Sequence, residues 1–158
     1  LEKNLDLSLR GSKSHLDSLI INNIAHKKLI ALPRGLVVHW VSGNVPTLGI
    51  ISLIISLLCK NSNIVKVANN SPDILIKMLE ILSKIKIKNI NKKELKGTSI
   101  TNSLMLLYVD RESEDNENLS KLADVRIAWG GAEAVESIMN LTKKYNCEDI
   151  VFGPKLRP

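Results

Sequence analysis

Residues 33–72 read PRGLVVHWVSGNVPTLGIISLIISLLCKNSNIVKVANNSP, and this stretch decides the fold. Two apolar runs of the β type, 36–41 and 64–68, flank an apolar helix that begins just after a polar loop. A strand, a helix and a second strand in this order form a parallel βαβ unit. The polar loop, 42–44, follows the first strand, and open α/β sheets bind ligands at that edge. The stretch therefore predicts a nucleotide-handling fold.

The remainder of the chain continues the alternation of strands and helices. Leucine and isoleucine at helical spacing predict a helical segment over residues 1–32, ahead of one domain core that covers 33–158. The other predicted elements are helices at 46–61, from 71 onward and after 131, strands at 104–109, 125–129 and 150–152, and loops at 87–102 and 110–118. This pattern predicts an α/β fold: a three-layer, Rossmann-like, doubly wound and mostly parallel sheet of about five strands with helices on both faces.

The composition is that of a globular domain and argues against two classes of function. Of the 158 residues, 44% are hydrophobic and 24% are charged, which suits one domain with a single core. The net charge is +6, but aromatic residues make up only 3%, so nucleic-acid binding is not expected. The longest apolar run, 48–59, is shorter than the roughly 18–20 residues of a spanning helix, so no membrane span is expected.

The two cysteines, Cys59 and Cys147, form neither a disulfide framework nor a metal-binding spacing. We expect each to be a small buried residue in a reducing cytoplasm, since no secretory signal peptide is visible either. No cluster of His, Cys, Asp and Glu has the spacing of metal ligands, so no metal site is predicted. His39 lies inside the first strand and is predicted to be a satisfied, half-buried histidine rather than a base.

Four polar or glycine positions carry candidate chemistry, and each has a structural alternative. The Asn44 amide either donates a hydrogen bond to an oxyanion or caps the next helix. Lys66 interrupts an apolar strand, so its ammonium must reach an anion or, as on an edge strand, solvent. Gly130 and Gly131 follow a strand and permit close approach of a ligand, although glycine is common in such turns.

Four motifs stand in a fixed order along the chain. They are Pro33-x-Gly35 followed by Asn44-x-Pro46, then Lys66 with Ser71-Pro72, then ADVRIAWGGAEAV at 123–135, then VFGPK at 151–155. Together they resemble the aldehyde dehydrogenase superfamily. Within it they resemble the acyl-CoA reductase branch, typified by the long-chain fatty acyl-CoA reductase of bacterial bioluminescence. The resemblance covers about residues 33–155, and the ordered combination is more specific than any single motif.

The resemblance implies a role for each matching residue. Asn44 would stabilise the oxyanion formed when a catalytic cysteine attacks the substrate. Lys66 would contact the adenosine ribose or its phosphate. Gly130 and Gly131 would line the pyrophosphate and nicotinamide side.

Ser42 and Gly43, in the loop that leads to Asn44, would also belong to the cofactor-binding residues. Asn69 stands where the family often has an acid that holds the ribose 2′-hydroxyl. Loss of that carboxylate removes repulsion against a 2′-phosphate, so the expected cofactor is NADPH.

The departures from the family pattern indicate the acylating branch and a longer parent protein. Val151 replaces the general-base glutamate of hydrolytic aldehyde dehydrogenases, which a reductase of acyl thioesters does not need. Neither Cys59 nor Cys147 matches the nucleophile, which the resemblance implies beyond Pro158. Residues 33–158 would then be the NADP(H)-binding core of an enzyme that reduces fatty acyl-CoA to fatty aldehyde, inactive alone.

Candidate partners are acyl-CoA as substrate, a second copy of the chain, or an acyl-transferring enzyme. The alternative function, of a different class, is a non-catalytic α/β interaction module that keeps the fold without the chemistry.

Overall fold

The computed structural model describes residues 20–22, 27–29, 32–41, 46–67, 72–88 and 94–153. Their secondary structure alternates between strands and helices, as the sequence predicts. In chain order the elements are β1 (Ile20–Asn22), β2 (Lys27–Leu29), β3 (Leu36–Trp40), α1 (Pro46–Leu58), β4 (Ser62–Val67), α2 (Pro72–Lys84), β5 (Lys86–Lys88), β6 (Glu94–Lys96), α3 (Thr98–Thr101), β7 (Leu104–Tyr108), α4 (Asp115–Leu122), β8 (Val125–Trp129), α5 (Ala132–Met139) and β9 (Glu148–Phe152).

The central sheet has five parallel strands in the order β7-β4-β3-β8-β9. Leu53 of α1 and Leu75 of α2 belong to the core cluster on one face, and Leu119 of α4 and Ile138 of α5 belong to the cluster on the other. The predicted three-layer, doubly wound α/β fold is therefore confirmed. The strand order reverses between β3 and β8, and a crevice opens beyond the strand ends at such a point.

Strand β3 is the middle of the sheet and is buried on both faces. Val38 and Trp40 pack in the cluster with α4 and α5, while Val37 belongs to a cluster on the opposite face with Val125 and Ile127 of β8. All four of the residues Val37 to Trp40 are buried. A strand covered on both faces needs a continuous apolar run rather than an alternating one, and residues 36–41 supply it with the one exception of His39.

The entry to β3 requires the glycine of the Pro-x-Gly motif. Gly35 has a φ of 126°, a conformation that residues with a Cβ rarely adopt, and a Cβ there would collide with the Asp124 carboxylate. That carboxylate accepts a hydrogen bond from the Leu36 N–H at 2.8 Å, and the Asp124 N–H donates to the Leu36 carbonyl at 2.8 Å. Gly35 thus allows the first residues of β3 and β8 to lock together in register.

Two predicted loops contain regular structure. Within 87–102 the structure has the antiparallel pair β5–β6, with Lys86 opposite Lys96, followed by α3. All six residues of β5 and β6 are exposed, so no buried face imposes an alternating pattern on their sequence. Within 110–118 the polar helix α4 begins at Asp115, and its apolar face is too narrow to show a helical period. The loop prediction is wrong at both places.

The prediction of a helical segment over 1–32 is wrong where the structure describes that part of the chain. Residues Ile20–Asn22 and Lys27–Leu29 form a short antiparallel pair, with Ile20 opposite Leu29. Isoleucine and leucine at 16, 19, 20 and 24 have helical spacing, but Ile20 and Ile21 also suit a strand because they are β-branched. The rest of this segment up to residue 31 lies outside the described residues.

A chain of buried polar groups runs beneath α1, with His39 at its centre. The His39 Nε2 lies 3.0 Å from the Asn63 Oδ1, and its Nδ1 lies 3.3 Å from the Ser52 Oγ. The Asn63 amide nitrogen donates to the Asn61 carbonyl at 2.8 Å, so its oxygen faces the histidine and Nε2 carries the ring proton. His39 is a satisfied structural histidine, as predicted, but it is fully buried rather than half-buried.

Burial of His39 makes the stability of the domain depend on pH. Burial lowers the pKa of His39 from 6.5 to about 4, against the smaller opposing effect of the hydrogen bond with Asn63. Between pH 6.5 and about 4 the unfolded chain therefore binds a proton that the folded protein does not. The free energy of unfolding should fall as the pH falls through this window, with His39 contributing up to about 1.4 kcal/mol per pH unit.

Urea unfolding of the wild-type protein and of His39→Gln at several pH values between 6.5 and about 4 tests this expectation. The variant should be less stable at neutral pH because it loses a fitted buried side chain. Its stability should, however, change less with pH than that of the wild-type protein. Equal slopes for the two proteins would show that His39 does not titrate in this way.

Candidate functional site

A cleft of about 770 Å³ opens at the carboxyl ends of the central strands. The last residues of β3, β7 and β8, which are Trp40, Tyr108 and Trp129, line it together with Lys66 near the end of β4. Its volume lies in the range of about 300–1,000 Å³ that is usual for ligand pockets. The cleft also lies beside the reversal of strand order between β3 and β8, where α/β sheets bind their ligands.

Three of the predicted site residues meet in this cleft. Lys66 lines one side of it, and Gly130 and Gly131 line the turn between β8 and α5. These residues are far apart in the sequence and are brought together because the parallel strands all end at one edge of the sheet. The loop residues 42–44 and Asn69 lie outside the described residues, so the roles of Ser42, Gly43, Asn44 and Asn69 stay predictions.

Lys66 is a half-buried cation with no close partner among the described residues. Its neighbours Val65 and Val67 pack against α1 and α2, so the lysine belongs to the other face, towards α4 and α5. Among the residues that the structure describes, none makes a hydrogen bond or an ion pair with its ammonium. Burial lowers the pKa of Lys66, the nearby Asp110 carboxylate raises it, and the Arg111 guanidinium lowers it. Because β4 lies between β3 and β7, Lys66 is not on an edge strand.

The Asn116 side chain holds the loop between β7 and α4 at the mouth of the cleft. Its amide nitrogen donates to the carbonyls of Asp110 at 2.7 Å, Ser113 at 3.1 Å and Arg111 at 3.2 Å. Its oxygen accepts the indole N–H of Trp40 at 3.2 Å. Asn116 therefore ties the loop that carries Arg111 to the end of β3. Sequence reasoning missed this contact because 110–118 shows only polar residues, with no sign that one of them is buried.

The glycine turn after β8 is fixed on one side and open on the other. Trp129 stacks on Phe152 with ring centroids 3.9 Å apart and an angle of 8° between the planes, and the Gly130 N–H donates to the Phe152 carbonyl at 3.3 Å. A Cβ on Gly131 would meet no atom within 4 Å. A ligand can therefore approach the backbone at Gly131, although Glu133 in the first turn of α5 disfavours a phosphate on the helix axis.

The guanidinium of Arg126 is fully buried under the wall of the cleft. Its Nε and one terminal nitrogen donate to the two carboxylate oxygens of Asp149 at 2.7 and 3.0 Å. Its other terminal nitrogen donates to the Ser120 hydroxyl and to the carbonyls of Ile138 and Leu141, all at 2.9 to 3.0 Å. Ile138 and Leu141 line the cleft, so Arg126 positions that wall from behind.

In the sequence Arg126 is only one residue of the motif at 123–135, and no role is predicted for it. The available signal was the same as for Lys66, a single cation inside an apolar strand that must find a partner. Burial alone would raise the pKa of Asp149, but hydrogen bonds from Arg126 and Lys143 hold it below its usual value. The Asp149 carboxylate is therefore ionised at neutral pH.

Neither cysteine of the chain lines the cleft. Cys59 follows the carboxyl end of α1 and Cys147 precedes β9, so both are near the opposite edge of the sheet. Burial raises the pKa of both thiols, which keeps them protonated at neutral pH. Within the described part of the chain no group of three or more His, Cys, Asp or Glu side chains is arranged to hold a metal ion, and no helix there is long and apolar enough to cross a membrane.

Comparison with known proteins adds to this geometry. The family model described as acyl-CoA reductase (LuxC) matches residues 1–157, almost the whole chain. The chain belongs to the LuxC acyl-CoA reductase family. The resemblance read from the ordered motifs is therefore confirmed.

The LuxC relatives with curated names are long-chain acyl-protein thioester reductases. The chain is 28% identical over 170 residues to long-chain acyl-protein thioester reductase 2 from Photobacterium leiognathi. The aligned region covers 98% of the chain and 33% of that protein. It is 28% identical over 127 residues to the protein from Aliivibrio fischeri, covering 79% of the chain and 24% of the relative. With the protein from Photobacterium phosphoreum it shares 26% identity over 167 residues, which is 98% and 33% of the two chains. The chain thus spans about a third or less of the length of these relatives.

Removal of the carboxylate that pairs with Arg126 should destabilise this LuxC domain strongly. We expect Asp149→Asn to lower the free energy of unfolding by about 3 kcal/mol, because it leaves a buried guanidinium without its counter-charge. The adjacent Glu148 makes an exposed ion pair with Arg34, and Glu148→Gln should cost no more than about 1 kcal/mol. Denaturant unfolding of the two variants measures the difference. Similar losses of stability in the two variants would mean that the buried Arg126–Asp149 pair contributes no more than an exposed ion pair.

Proposed function

We propose that this chain is the cofactor-binding part of a reductase that converts a fatty acyl thioester into a fatty aldehyde with NADPH. The observation that carries the proposal is the cleft at the carboxyl ends of β3, β4, β7 and β8, where Lys66 and the Gly130-Gly131 turn meet. Membership of the LuxC family supports the reaction class. The names of the relatives support a long-chain acyl thioester as the substrate of the whole protein.

The side chains of the cleft fit a phosphorylated dinucleotide. Lys66 offers a cation that no described residue pairs, and the backbone at Gly131 is open to close approach. Trp129, which is only partly buried, offers apolar surface at the end of β8. When bound, NADPH would supply the hydride that reduces the acyl carbonyl. The chain's own contribution would be to bind and orient the cofactor, with Lys66 near the adenosine ribose or its phosphate.

The proposed roles of the loop residues rest on the family pattern. Asn44 would donate its amide N–H to the oxyanion that forms on the reacting carbonyl, which stabilises charge only as it develops. Ser42 and Gly43 would border the cofactor in the same loop. Asn69, in place of an acid, would remove the repulsion that a carboxylate exerts on a 2′-phosphate, so NADPH would bind better than NADH.

The acyl group would be carried by a cysteine other than Cys59 and Cys147. Both of these have protonated thiols and lie away from the cleft. The nucleophile would therefore be a third cysteine, in another part of the whole protein. Acyl-CoA and an acyl-protein thioester present the same reacting group, so either would serve as the acyl donor. The candidate partners are an acyl-transferring enzyme and a second copy of the chain.

Both tryptophans of the chain line the cleft, so ligand binding should change the intrinsic fluorescence. We expect titration with NADPH to give tighter binding than titration with NADH. Lys66→Ala should weaken NADPH binding by about 10-fold and NADH binding by less, because the lost charge would face the extra phosphate. Lys77→Ala, which removes an exposed lysine of α2 away from the cleft, is the matched control and should change neither affinity.

The titration also separates the proposal from its alternative. Equal or tighter binding of NADH would contradict the argument for the 2′-phosphate. Failure of both nicotinamide cofactors to bind would contradict the proposed function and favour a non-catalytic interaction module on the same fold.

A further inference from the structure

Arg111 is, like Lys66, a cation of the cleft that no described residue pairs. It lies in the loop after β7, the strand that pairs with β4, and it lines the cleft together with Lys66. No residue within the described ranges makes a hydrogen bond or an ion pair with its guanidinium. Sequence reasoning gave Arg111 no role, because it predicted only an exposed loop at 110–118.

We propose that Arg111 and Lys66 together bind a phosphate monoester on the ribose of an adenosine nucleotide. Two cations at one cleft, neither in close contact with a counter-charge among the described residues, provide the charge that a dianionic phosphate requires. The planar guanidinium can donate two parallel hydrogen bonds to phosphate oxygens, and the ammonium adds a point charge. The assignment of the ligand as a nucleotide rests on the proposed function; the pairing of the two cations rests on the geometry of the cleft.

The loop that carries Arg111 is held in place without a ligand. Asn116 donates to the carbonyls of Asp110 and Arg111, and its own oxygen accepts from the buried Trp40. The Arg111 backbone is therefore fixed relative to the ends of β3 and β4, while its side chain stays exposed. Such a fixed loop favours a binding role over a chance position on the surface.

Two acids, Asp110 and Glu112, also line the cleft and oppose the binding of an anion. The Asp110 carboxylate accepts the hydroxyl hydrogen of Tyr108, which occupies one of its oxygens, and this hydrogen bond raises the pKa of Tyr108. Neither acid approaches Lys66 closely enough to form an ion pair. Asp110 nevertheless raises the pKa of Lys66 while Arg111 lowers it, so both charges act on the Lys66 ammonium.

Two ligands of the proposed enzyme carry the shared chemistry. NADPH has a phosphate on the 2′-oxygen of its adenosine, and coenzyme A has one on the 3′-oxygen. Adenosine 2′,5′-bisphosphate and adenosine 3′,5′-bisphosphate are small probes of these two groups, and adenosine 5′-monophosphate lacks both. Tryptophan fluorescence or calorimetry on the chain measures the affinity of each probe.

We expect one of the bisphosphates to bind more tightly than the monophosphate. Arg111→Gln should weaken the binding of that bisphosphate by about 10-fold. The same variant should change the affinity of the monophosphate by less than about 2-fold. Arg111→Lys, which keeps the charge, should retain a part of the preference. Asp110→Asn should strengthen the binding of the bisphosphate, because it removes an opposing negative charge from the cleft. Lys77→Gln, remote from the cleft, is the control that should change nothing.

The outcomes distinguish this inference from the proposed function. Preference for the 2′ isomer supports the site and identifies the phosphate of NADPH; preference for the 3′ isomer supports it and identifies that of coenzyme A. Equal affinity for all three probes, or an equal loss for all three in Arg111→Gln, overturns it. If NADPH still binds in a manner that depends on Lys66 but not on Arg111, the proposed function stands and this inference fails. If the bisphosphate probes bind and NADPH does not, this inference stands and the proposed function fails.

Discussion

The buried guanidinium of Arg126 is the interaction on which the shape of the cleft depends. A charge with no access to water requires every donor to be satisfied, and this one binds four residues from three separate segments of the chain. Ser120 belongs to α4, Ile138 to α5, Leu141 follows α5, and Asp149 belongs to β9. None of these pieces can move far without breaking a bond to a buried charge. The sheet and the two helices on that face are thus fixed to one another at a single point.

The five-stranded sheet could be predicted from the sequence because burial on both faces leaves a plain signal. Residues 36–41 and 125–129 are apolar except for His39 and Arg126, because β3 and β8 have helices above and below them. The short pair β5–β6 and the polar helix α4 have no such signal, since the first is exposed along its whole length and the second buries only part of one face. Elements that bury little are decided by their neighbours rather than by their own pattern.

The residues of the candidate site fall into the same two groups, those with a signal in the sequence and those without one. Lys66 and the glycine turn could be found in the sequence, because a cation in an apolar strand and two adjacent glycines after a strand break a local pattern. Arg111 and Asn116 could not, because a charged residue and an amide in a polar loop look like ordinary surface residues. Their importance depends on the contact of Asn116 with Trp40 and on the place of Arg111 in the same cleft as Lys66, and both become visible only when the strands are aligned.

The hold of Asn116 on the loop after β7 has a thermodynamic consequence. Since the loop is ordered by a side chain of the domain itself, a ligand that binds beside it does not have to supply the entropy of ordering it. The same hold keeps Arg111 near Lys66, where its guanidinium repels the ammonium, although the Asp110 carboxylate has the larger and opposite effect. An anion between them would remove that repulsion. Ligand binding and the stability of the fold are therefore linked through the same two side chains.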